Sequence, residues 1–527
     1  MKQFWQKREA ANMSEKKFVL TMLAAMAFLF FWQPLTAKTL AADFAYYLKN
    51  QRQAILDEFI DLLSLPNTAG DDENLRKNAQ HIAALLQRRG IEPRLLERAG
   101  TAPVVYGFMA GRKAKRTVIV YAHYDGQPVD PRQWRSDPWK PVISDNAYEA
   151  GGKVVPSDFA AAEDTAEWRI AARSAADDKA PIIAILAAID FLKTRRTPLS
   201  VNVKFLFEGE EETGSPNLPA ILDENRELLK ADAMLLCDGP VHQSRKPQLL
   251  FGARGMTEVE MTVFGPNQPL HSGHYGNWAP NPIALLVELL SHMRDGEGRI
   301  LIPEFYSDVR PLSSAERSAL AEIPSVDASL RQEYGLAWSE AGNAFLNERI
   351  LQPALNLRGL EAGNTGAQAA NAVPAEARAS IDFRLVPDQT PQRVRRLVED
   401  FISRQGFHII YTPPDPQTRF DHARLILLQW GPGYLPSRTA MDIPFSRAVI
   451  QSLQKGLGAT IIKLPSVGGS IPMQLFTDKL KLPVIVLPIA NHDNRQHGPD
   501  ENLRLQNLFD GIRMFAILLA DLGSNWK

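Results

Sequence analysis

Short segments made almost entirely of apolar residues recur along this chain, and segments of helical periodicity separate them. Residues 117–122 form one apolar segment, and residues 201–207 and 233–237 form two more. Residues 181–192 have a helical pattern that begins with proline. Proline is tolerated in the first turn of a helix because a backbone N–H at that position has no partner within the helix. Apolar strands joined by helices predict an α/β domain with a mixed, mostly parallel sheet and helices on both faces.

The hydrophobic pattern changes after Gly255. Val259, Met261 and Val263 alternate with polar residues, and apolar residues within 379–383 do the same. A period of two is typical of an antiparallel sheet with one face exposed. Helical patterns follow both alternating segments, so this part of the chain is predicted to be an α+β domain.

Apolar strand segments return at 460–464 and 483–488. We therefore predict that residues 253–413 are inserted into the α/β domain, whose two parts are residues 43–252 and 414–527. The length of 527 residues supports two domains, because single cores usually stop growing at about 250–300 residues.

The charge balance limits the classes of partner. The chain has 59 Lys and Arg against 60 Asp and Glu, so it lacks the positive surplus expected of a nucleic-acid-binding protein. We expect no nucleic-acid partner. Cys237 is the single cysteine, and an internal disulfide is therefore excluded.

The N-terminal segment has the pattern of a secretory signal. Lys16 and Lys17 precede an apolar run at 18–32, and small residues follow it. We predict that residues 1–42 are a signal peptide or, if uncleaved, an N-terminal membrane anchor. An exported protein, periplasmic or secreted, is the expectation, with membrane association only through an uncleaved anchor.

Acidic and imidazole side chains follow the ends of the predicted strands. They are His123, Asp125, Asp177, Asp178, Glu208, Glu210, Glu211, Glu212, Asp238, His492 and His497. Each has an ordinary alternative: a structural His–Asp pair, a helix cap, a solvated acidic turn or an Asp-Gly turn. Open α/β sheets bind ligands at the carboxyl ends of their strands, so the combination indicates a site for two divalent metal ions.

Several sequence blocks occur in the order found in a known enzyme family. They are HYDGQP at 123–128, RSAADDK at 173–179, FEGEEETGS at 207–215, HSG at 271–273, IDFRLVP at 381–387, GGSIP at 468–472 and HGPDE at 497–501. From about residue 45 to its C-terminus the chain resembles the dimetal peptidase family M20. That family includes carnosinase-type dipeptidases, glutamate carboxypeptidase and succinyl-diaminopimelate desuccinylase, and the dipeptidase branch is the most similar.

The resemblance implies a role for each matching residue. One metal ion would be bound by His123, Asp177 and Asp238, and the other by Asp177, Glu212 and His497. Glu211 would be the general base for a water held between the metals, and Asp125 would orient His123. A one-residue shift within 210–212 and His492 in place of His497 are the alternatives. Zinc is the expected metal, and manganese and cobalt suit the same ligands.

The resemblance also gives the inserted domain a role, as a ferredoxin-like lid and dimerisation domain. His271 would reach the active site of the partner subunit of a homodimer and stabilise the oxyanion. The residues implied in holding the substrate backbone and its terminal carboxylate are Asn371, Arg384, Gly469 and Ser470.

The expected function is metal-dependent hydrolysis of dipeptides or short peptides with a free C-terminal carboxylate. An N-acyl amino-acid deacylase is the alternative, because it would use the same metals and base with a different pocket. A non-catalytic binding relative is the remote alternative, and the complete set of ligands together with Glu211 argues against it.

Overall fold

The computed structural model describes residues 37–156, 165–469 and 471–527. Its strands, in chain order, are β1 Pro93–Leu96, β2 Val104–Met109, β3 Thr117–His123, β4 Val142–Ser144, β5 Val154–Val155, β6 Arg169–Ala171, β7 Asn202–Glu208, β8 Ala233–Leu236, β9 Gln248–Leu250, β10 Gly252–Ala253, β11 Gly255–Phe264, β12 Leu270–His271, β13 Ala354–Glu361, β14 Ala372–Val373, β15 Glu376–Leu385, β16 His408–Ile410, β17 Leu425–Trp430, β18 Ser437–Arg438, β19 Ile462–Leu464, β20 Val484–Val486 and β21 Asn502–Arg504.

The α-helices lie between these strands. They are α1 Ala37–Leu63, α2 Asp72–Arg88, α3 Lys179–Thr194, α4 Leu218–Glu224, α5 Ser272–Tyr275, α6 Pro282–Met293, α7 Ser314–Ala321, α8 Asp327–Glu333, α9 Glu340–Asn343, α10 Leu346–Arg349, α11 Pro391–Arg404, α12 Pro416–Asp421, α13 Pro444–Leu457, α14 Met473–Lys479 and α15 Leu505–Asn525.

The α/β domain is built on an eight-stranded sheet. Its strand order is β1-β2-β7-β3-β8-β20-β9-β19. The central strands β7, β3, β8 and β20 run parallel, and antiparallel pairs occur at β1–β2, β2–β7 and β20–β9. The predicted mixed, mostly parallel sheet is confirmed.

Both faces of this sheet are covered, because successive side chains of a buried strand point to opposite sides. Val118 and Val120 of β3 pack into the core formed with α1, α2, α3, α13 and α15. Ile119 and Tyr121 of the same strand pack into the core formed with α4 and α14. This alternation explains why the strand is apolar at every position.

The inserted domain has a sheet of its own, ordered β13-β15-β11-β17-β16. Its pairs are antiparallel except β16–β17. Alternate residues of β11, including Val259 and Met261, pack against apolar residues of α6 and α11. An α+β lid domain is therefore present, as predicted.

Two predicted boundaries differ from the structure. The lid sheet continues past residue 413, because β17 pairs with β11 in its centre. The chain re-enters the catalytic domain near β18, which pairs with β10 where the chain leaves it. Near the N-terminus, Leu40 is buried in the core of the α/β domain. Helix α1 therefore includes residues 37–42 of the segment that is predicted to be a signal peptide or anchor. Polarity alone could not show either contact.

The apolar run at 18–32 and its predicted signal or anchor lie outside the described residues. Among the described helices, none is both long and apolar enough to cross a membrane.

Candidate metal centre

The carboxyl ends of the central strands bring the predicted polar groups together. His123 is the last residue of β3, and Asp238 follows β8 by two residues. Glu211 and Glu212 lie in a single 3₁₀ turn after β7, and Asp177 lies just before α3. Neighbouring parallel strands end at the same edge, so segments far apart in sequence meet there.

Two groups of side chains at this edge have the spacing of metal ligands. The first is His123, Asp178 and Asp238, and the second is Asp177, Glu212 and His497. Within each group, one ligand atom per residue lies within 4.8 Å of the others, which is short enough for ligands of a shared ion.

Asp177 lies between the two imidazoles. Its Oδ1 is 2.8 Å from His123 Nε2, and its Oδ2 is 3.1 Å from His497 Nε2. One carboxylate therefore faces both groups, although the distance grouping puts Asp178 with His123. Asp178 Oδ2 also accepts a hydrogen bond from the backbone N–H of His123, and the Asp177–Asp178 peptide bond is cis.

Burial makes this cluster of acids costly without a positive charge. Burial and, to a smaller extent, the Asp177 charge raise the pKa of Glu212 to about 7 and that of Asp238 to about 6. Burial also raises the pKa of Asp178 well above the usual range. Two imidazoles and several buried carboxylates are a donor set that suits divalent cations, so these residues fit the predicted pair of metal ions.

Asp125 organises the turn that carries the two glutamates. Its carboxylate accepts hydrogen bonds from the backbone N–H groups of Glu211, at 3.2 Å, and Glu212, at 2.9 Å. Its Oδ1 also lies 3.3 Å from His123 Nδ1. Asp125 thus connects the first imidazole to the turn at the end of the neighbouring strand.

Glu211 points toward the same centre. Its Oε2 lies 3.9 Å from His123 Nε2. Burial raises the pKa of Glu211 well above its usual value, and the His123 charge opposes that shift while Asp238 and Asp177 add to it. A carboxylate with a raised pKa beside a metal-ligand cluster has the properties of a general base.

The structure adds residues to which the sequence analysis assigned no role. Gln127 Nε2 donates to Glu212 Oε2 at 2.7 Å, and Gln496 Nε2 donates to Asp177 Oδ2 at 2.7 Å. Gln127 lies within the block 123–128, and Gln496 directly precedes His497. Their closeness in sequence to proposed ligands was the one feature that could have identified them. Glu501 is a third such residue, and it contacts the loop before Asp177.

The predicted residues of the lid are not part of this cluster. His271 is exposed, and its contacts in the structure are with the Gly273 N–H and the ring of His274. Asn371 is exposed, and Arg384 donates from Nε to Asp382 Oδ2 at 2.8 Å. A single subunit therefore does not bring His271 to the metal ligands.

The loop that contains Gly468 and Gly469 lines a cleft of about 430 Å³, which also includes Asp238. Gly468 and Gly469 form part of its wall. Ser470 lies outside the described residues. The cleft therefore contains one of the two predicted loop residues.

A family model described as Peptidase family M20/M25/M40 matches residues 119–521. The Cys-Gly metallodipeptidase dug1 of Schizosaccharomyces pombe is 27% identical over 428 residues, which cover 80% of this chain and 83% of that protein. The Beta-Ala-His dipeptidase of Rattus norvegicus is 25% identical over 437 residues, which cover 80% of each chain.

Among solved structures, an M20 family metallo-carboxypeptidase from Sulfolobus solfataricus, Sso-CP2, aligns with a TM-score of 0.69 and 28% identity. The alignment covers 89% of this chain and 99% of that one. Human carnosine dipeptidase 1 aligns with a TM-score of 0.68 over 92% of this chain and 99% of its own, and at 21% identity it shows a shared fold.

The predicted exported location is wrong. It depended on the composition of the N-terminal segment alone, and the similarity to the yeast Cys-Gly metallodipeptidases does not support it. A basic residue pair before an apolar run was too general a pattern to establish export.

Proposed function

Because the chain belongs to peptidase family M20/M25/M40, we propose that it hydrolyses the amide bond of dipeptides and short peptides with a free C-terminal carboxylate. It is a metal-dependent hydrolase, and the resemblance to the dipeptidase branch is confirmed. The observation that carries the proposal is the Asp177 carboxylate, which contacts the imidazoles of both ligand groups beside Glu211.

His123, Asp177 and Asp238 are proposed to hold one divalent ion, and Asp177, Glu212 and His497 the other. Zinc is the proposed metal, since it accepts imidazole and carboxylate ligands together, and manganese and cobalt are the competing ions. Metal analysis of the purified protein distinguishes them. When bound, two such ions supply Lewis-acid polarisation of the amide carbonyl and lower the pKa of water.

Glu211 is proposed as the group that moves the proton. Its carboxylate takes a proton from the attacking water as the oxygen–carbon bond forms, and passes it to the amine as the carbon–nitrogen bond breaks. Asp125 holds Glu211 in place by accepting a hydrogen bond from the Glu211 backbone N–H. The raised pKa of Glu211 makes its carboxylate a stronger base than an exposed glutamate.

The free carboxylate of the substrate is proposed to bind Arg384, with Asn371, Gly469 and Ser470 holding the peptide backbone. A guanidinium pairs well with a carboxylate because its N–H groups match the two oxygens. Arg384 lies on β15 of the lid with its side chain partly exposed. The substrate carboxylate is proposed to bind this guanidinium beside its ion pair with Asp382.

A homodimer through the lid is proposed to complete the site. His271 is exposed and separate from the ligand clusters of its own subunit, so the proposed role requires a second subunit. The lid also exposes apolar side chains at Val287 on α6 and at Leu357 and Leu360 on the edge strand β13. An exposed edge strand with apolar neighbours is a typical pairing surface.

The experiment compares the metal-loaded protein on matched substrates: a dipeptide, its C-terminal amide and the N-acetylated form of its C-terminal residue. We expect the free dipeptide to be cleaved fastest. Amidation should lower kcat/KM by about tenfold or more, because it removes the negative charge that the Arg384 guanidinium is proposed to bind. Faster cleavage of the N-acetyl amino acid would identify a deacylase instead.

A further inference from the structure

The cleft of about 430 Å³ is bounded on one side by residues of the metal centre. Asp238 is a proposed metal ligand, and Gln496, which donates to Asp177 Oδ2 at 2.7 Å, also lines the cleft. A substrate whose amide lies at the metal centre therefore has one of its side chains beside this space. Pockets that bind small ligands usually have volumes of roughly 300–1,000 Å³, so the cleft is large enough for a side chain.

The walls of the cleft present apolar side chains from both domains. The lid contributes Val326, Leu346 and Ile350, and the α/β domain contributes Val467 and Ile471. Each of these residues keeps accessible surface: Leu346 is 44% exposed, and the other four are half-buried. A substrate that enters the cleft therefore reaches an apolar surface.

Hydrogen bonds fix the part of the wall that the lid supplies. Arg254, which lies between β10 and β11, donates from Nε to the carbonyl oxygen of Ile350 at 2.6 Å and from Nη2 to that of Arg349 at 2.9 Å. The backbone N–H of Leu346 donates to Asp327 Oδ1 at 2.7 Å. A wall that is held before the substrate binds loses little conformational entropy on binding.

Few charged groups line the cleft. Among the described residues that do, Asp238 is the sole carboxylate, and there is no lysine or arginine. Burial lowers the pKa of the two lining histidines, His242 and His492, so both are neutral at pH 7. A charged substrate side chain would lose its hydration here without gaining a counter-ion, whereas an apolar side chain gains free energy by leaving water.

We propose that this cleft binds a large apolar side chain of the substrate, so that the enzyme prefers dipeptides in which the residue at this position is leucine or an apolar residue of similar size. Leu346 and Ile350 of the lid wall are the residues that determine this specificity. The inference rests on the proposed dipeptidase function and names the substrate class of the same site.

The test measures kcat/KM for the metal-loaded enzyme on two series of dipeptides. One series varies the N-terminal residue, as Leu-Gly, Ala-Gly, Asp-Gly and Lys-Gly, and the other varies the C-terminal residue, as Gly-Leu, Gly-Ala, Gly-Asp and Gly-Lys. We expect leucine to exceed alanine, aspartate and lysine by about tenfold or more in one series, the one whose variable residue occupies the cleft.

The variant Leu346→Ala removes part of the lid wall without changing its charge. It should lower the ratio of kcat/KM for the leucine peptide to that for the alanine peptide by about fourfold or more, which corresponds to about one buried methylene group. The matched control is Leu301→Ala, because Leu301 is a lid leucine outside the cleft with an exposed fraction of 43%. It should leave the ratio unchanged. Metal content and the thermal midpoint of each variant show that it is folded and loaded.

The outcomes separate the inference from the proposed function. If dipeptides are cleaved and leucine has no advantage in either series, the apolar selection is wrong and the dipeptidase proposal stands. An unchanged ratio in Leu346→Ala, or an equal fall in Leu301→Ala, overturns the role of the lid wall. If no dipeptide is cleaved at all, the proposed function fails, and the inference fails with it.

Discussion

Neighbouring side chains in the metal centre have different tasks because their surroundings differ. Glu211 and Glu212 are adjacent in one turn, and the Asp125 carboxylate holds both of their backbone N–H groups. Glu212 faces His497 at 3.3 Å, whereas Glu211 faces His123 at 3.9 Å. A shift of one residue within 210–212 would instead make Glu211 the ligand and Glu210 the base.

The variant Glu211→Gln tests this assignment. It should retain two metal ions per subunit and lose turnover by at least about 10²–10⁴-fold, because the amide cannot accept the proton. Asp177→Ala should lose metal, since it removes the carboxylate that contacts both imidazoles. Metal content and kcat are measured together, and near wild-type turnover in Glu211→Gln would show that the assignment is shifted.

The raised pKa of Glu208, at the end of β7, predicts that the stability of the protein depends on pH. Burial raises its pKa from 4.5 to about 7, against the effect of the Tyr121 hydroxyl that donates to it at 2.5 Å. The folded protein therefore retains a proton that the unfolded chain loses, so this group destabilises the fold as pH rises from about 4.5 to 7.

The variant Glu208→Gln removes the ionisation and keeps an acceptor for Tyr121. Its free energy of unfolding should equal that of the wild type below about pH 4 and exceed it by roughly 3 kcal/mol above about pH 7. Denaturant unfolding of the two proteins across this range measures the difference. A constant difference at all pH values would contradict the raised pKa.

At the scale of elements, the metal centre depends on one connection between two loops. Glu501 is buried and accepts hydrogen bonds at 2.9 Å from the backbone N–H groups of Ser174, Ala176 and Asp177. It also pairs with Arg173 Nη1 at 2.8 Å. The segment that follows His497 thereby holds the loop that contains Asp177.

The variant Glu501→Gln should destabilise the protein and weaken metal binding. It leaves the buried Arg173 charge unpaired, a change that typically costs about 3–5 kcal/mol. The control is Glu227→Gln, which breaks an exposed pair with Lys230 and should leave the thermal midpoint unchanged. A Glu501→Gln protein with wild-type stability and metal affinity would show that the loop is positioned by other contacts.

At the scale of the whole molecule, the lid is tied to the catalytic domain in more than one place. The strands β10 and β18 pair at its base. Two ion pairs connect helix α7 to the catalytic domain. Glu316 in this helix pairs with Arg438 at 3.1 Å, and Glu322 at its C-terminal end pairs with Lys463 at 2.7 Å. Val326, Leu346 and Ile350, which follow this helix in the chain, line the cleft at Asp238, whereas His271 is exposed.

Subunit mixing tests the proposed dimer. His271→Ala and Glu211→Gln should each be nearly inactive, and their co-expression in equal amounts should restore about a quarter of wild-type activity, since half of the dimers are hybrids with one intact site of two. Each variant expressed alone is the control. A monomer with full activity in solution would overturn the cross-subunit role of His271.

The amino-acid sequence alone predicts the α/β and α+β domain classes, the order of the motifs and the residues at the strand ends. It could do so because strand burial imposes a continuous apolar pattern on β3 and a period of two on β11. The sequence blocks around His123 and Glu212 also contain the imidazole and carboxylate side chains of a metal site, which can be recognised without the structure.

Which residues from distant segments contact one another can be seen only in the folded chain. Leu40 belongs to the core, β17 belongs to the lid sheet, and Glu501 binds the loop before Asp177, yet none of these contacts leaves a local periodicity. Long-range packing sets such partners, since a side chain's burial and hydrogen bonds depend on segments remote in the chain.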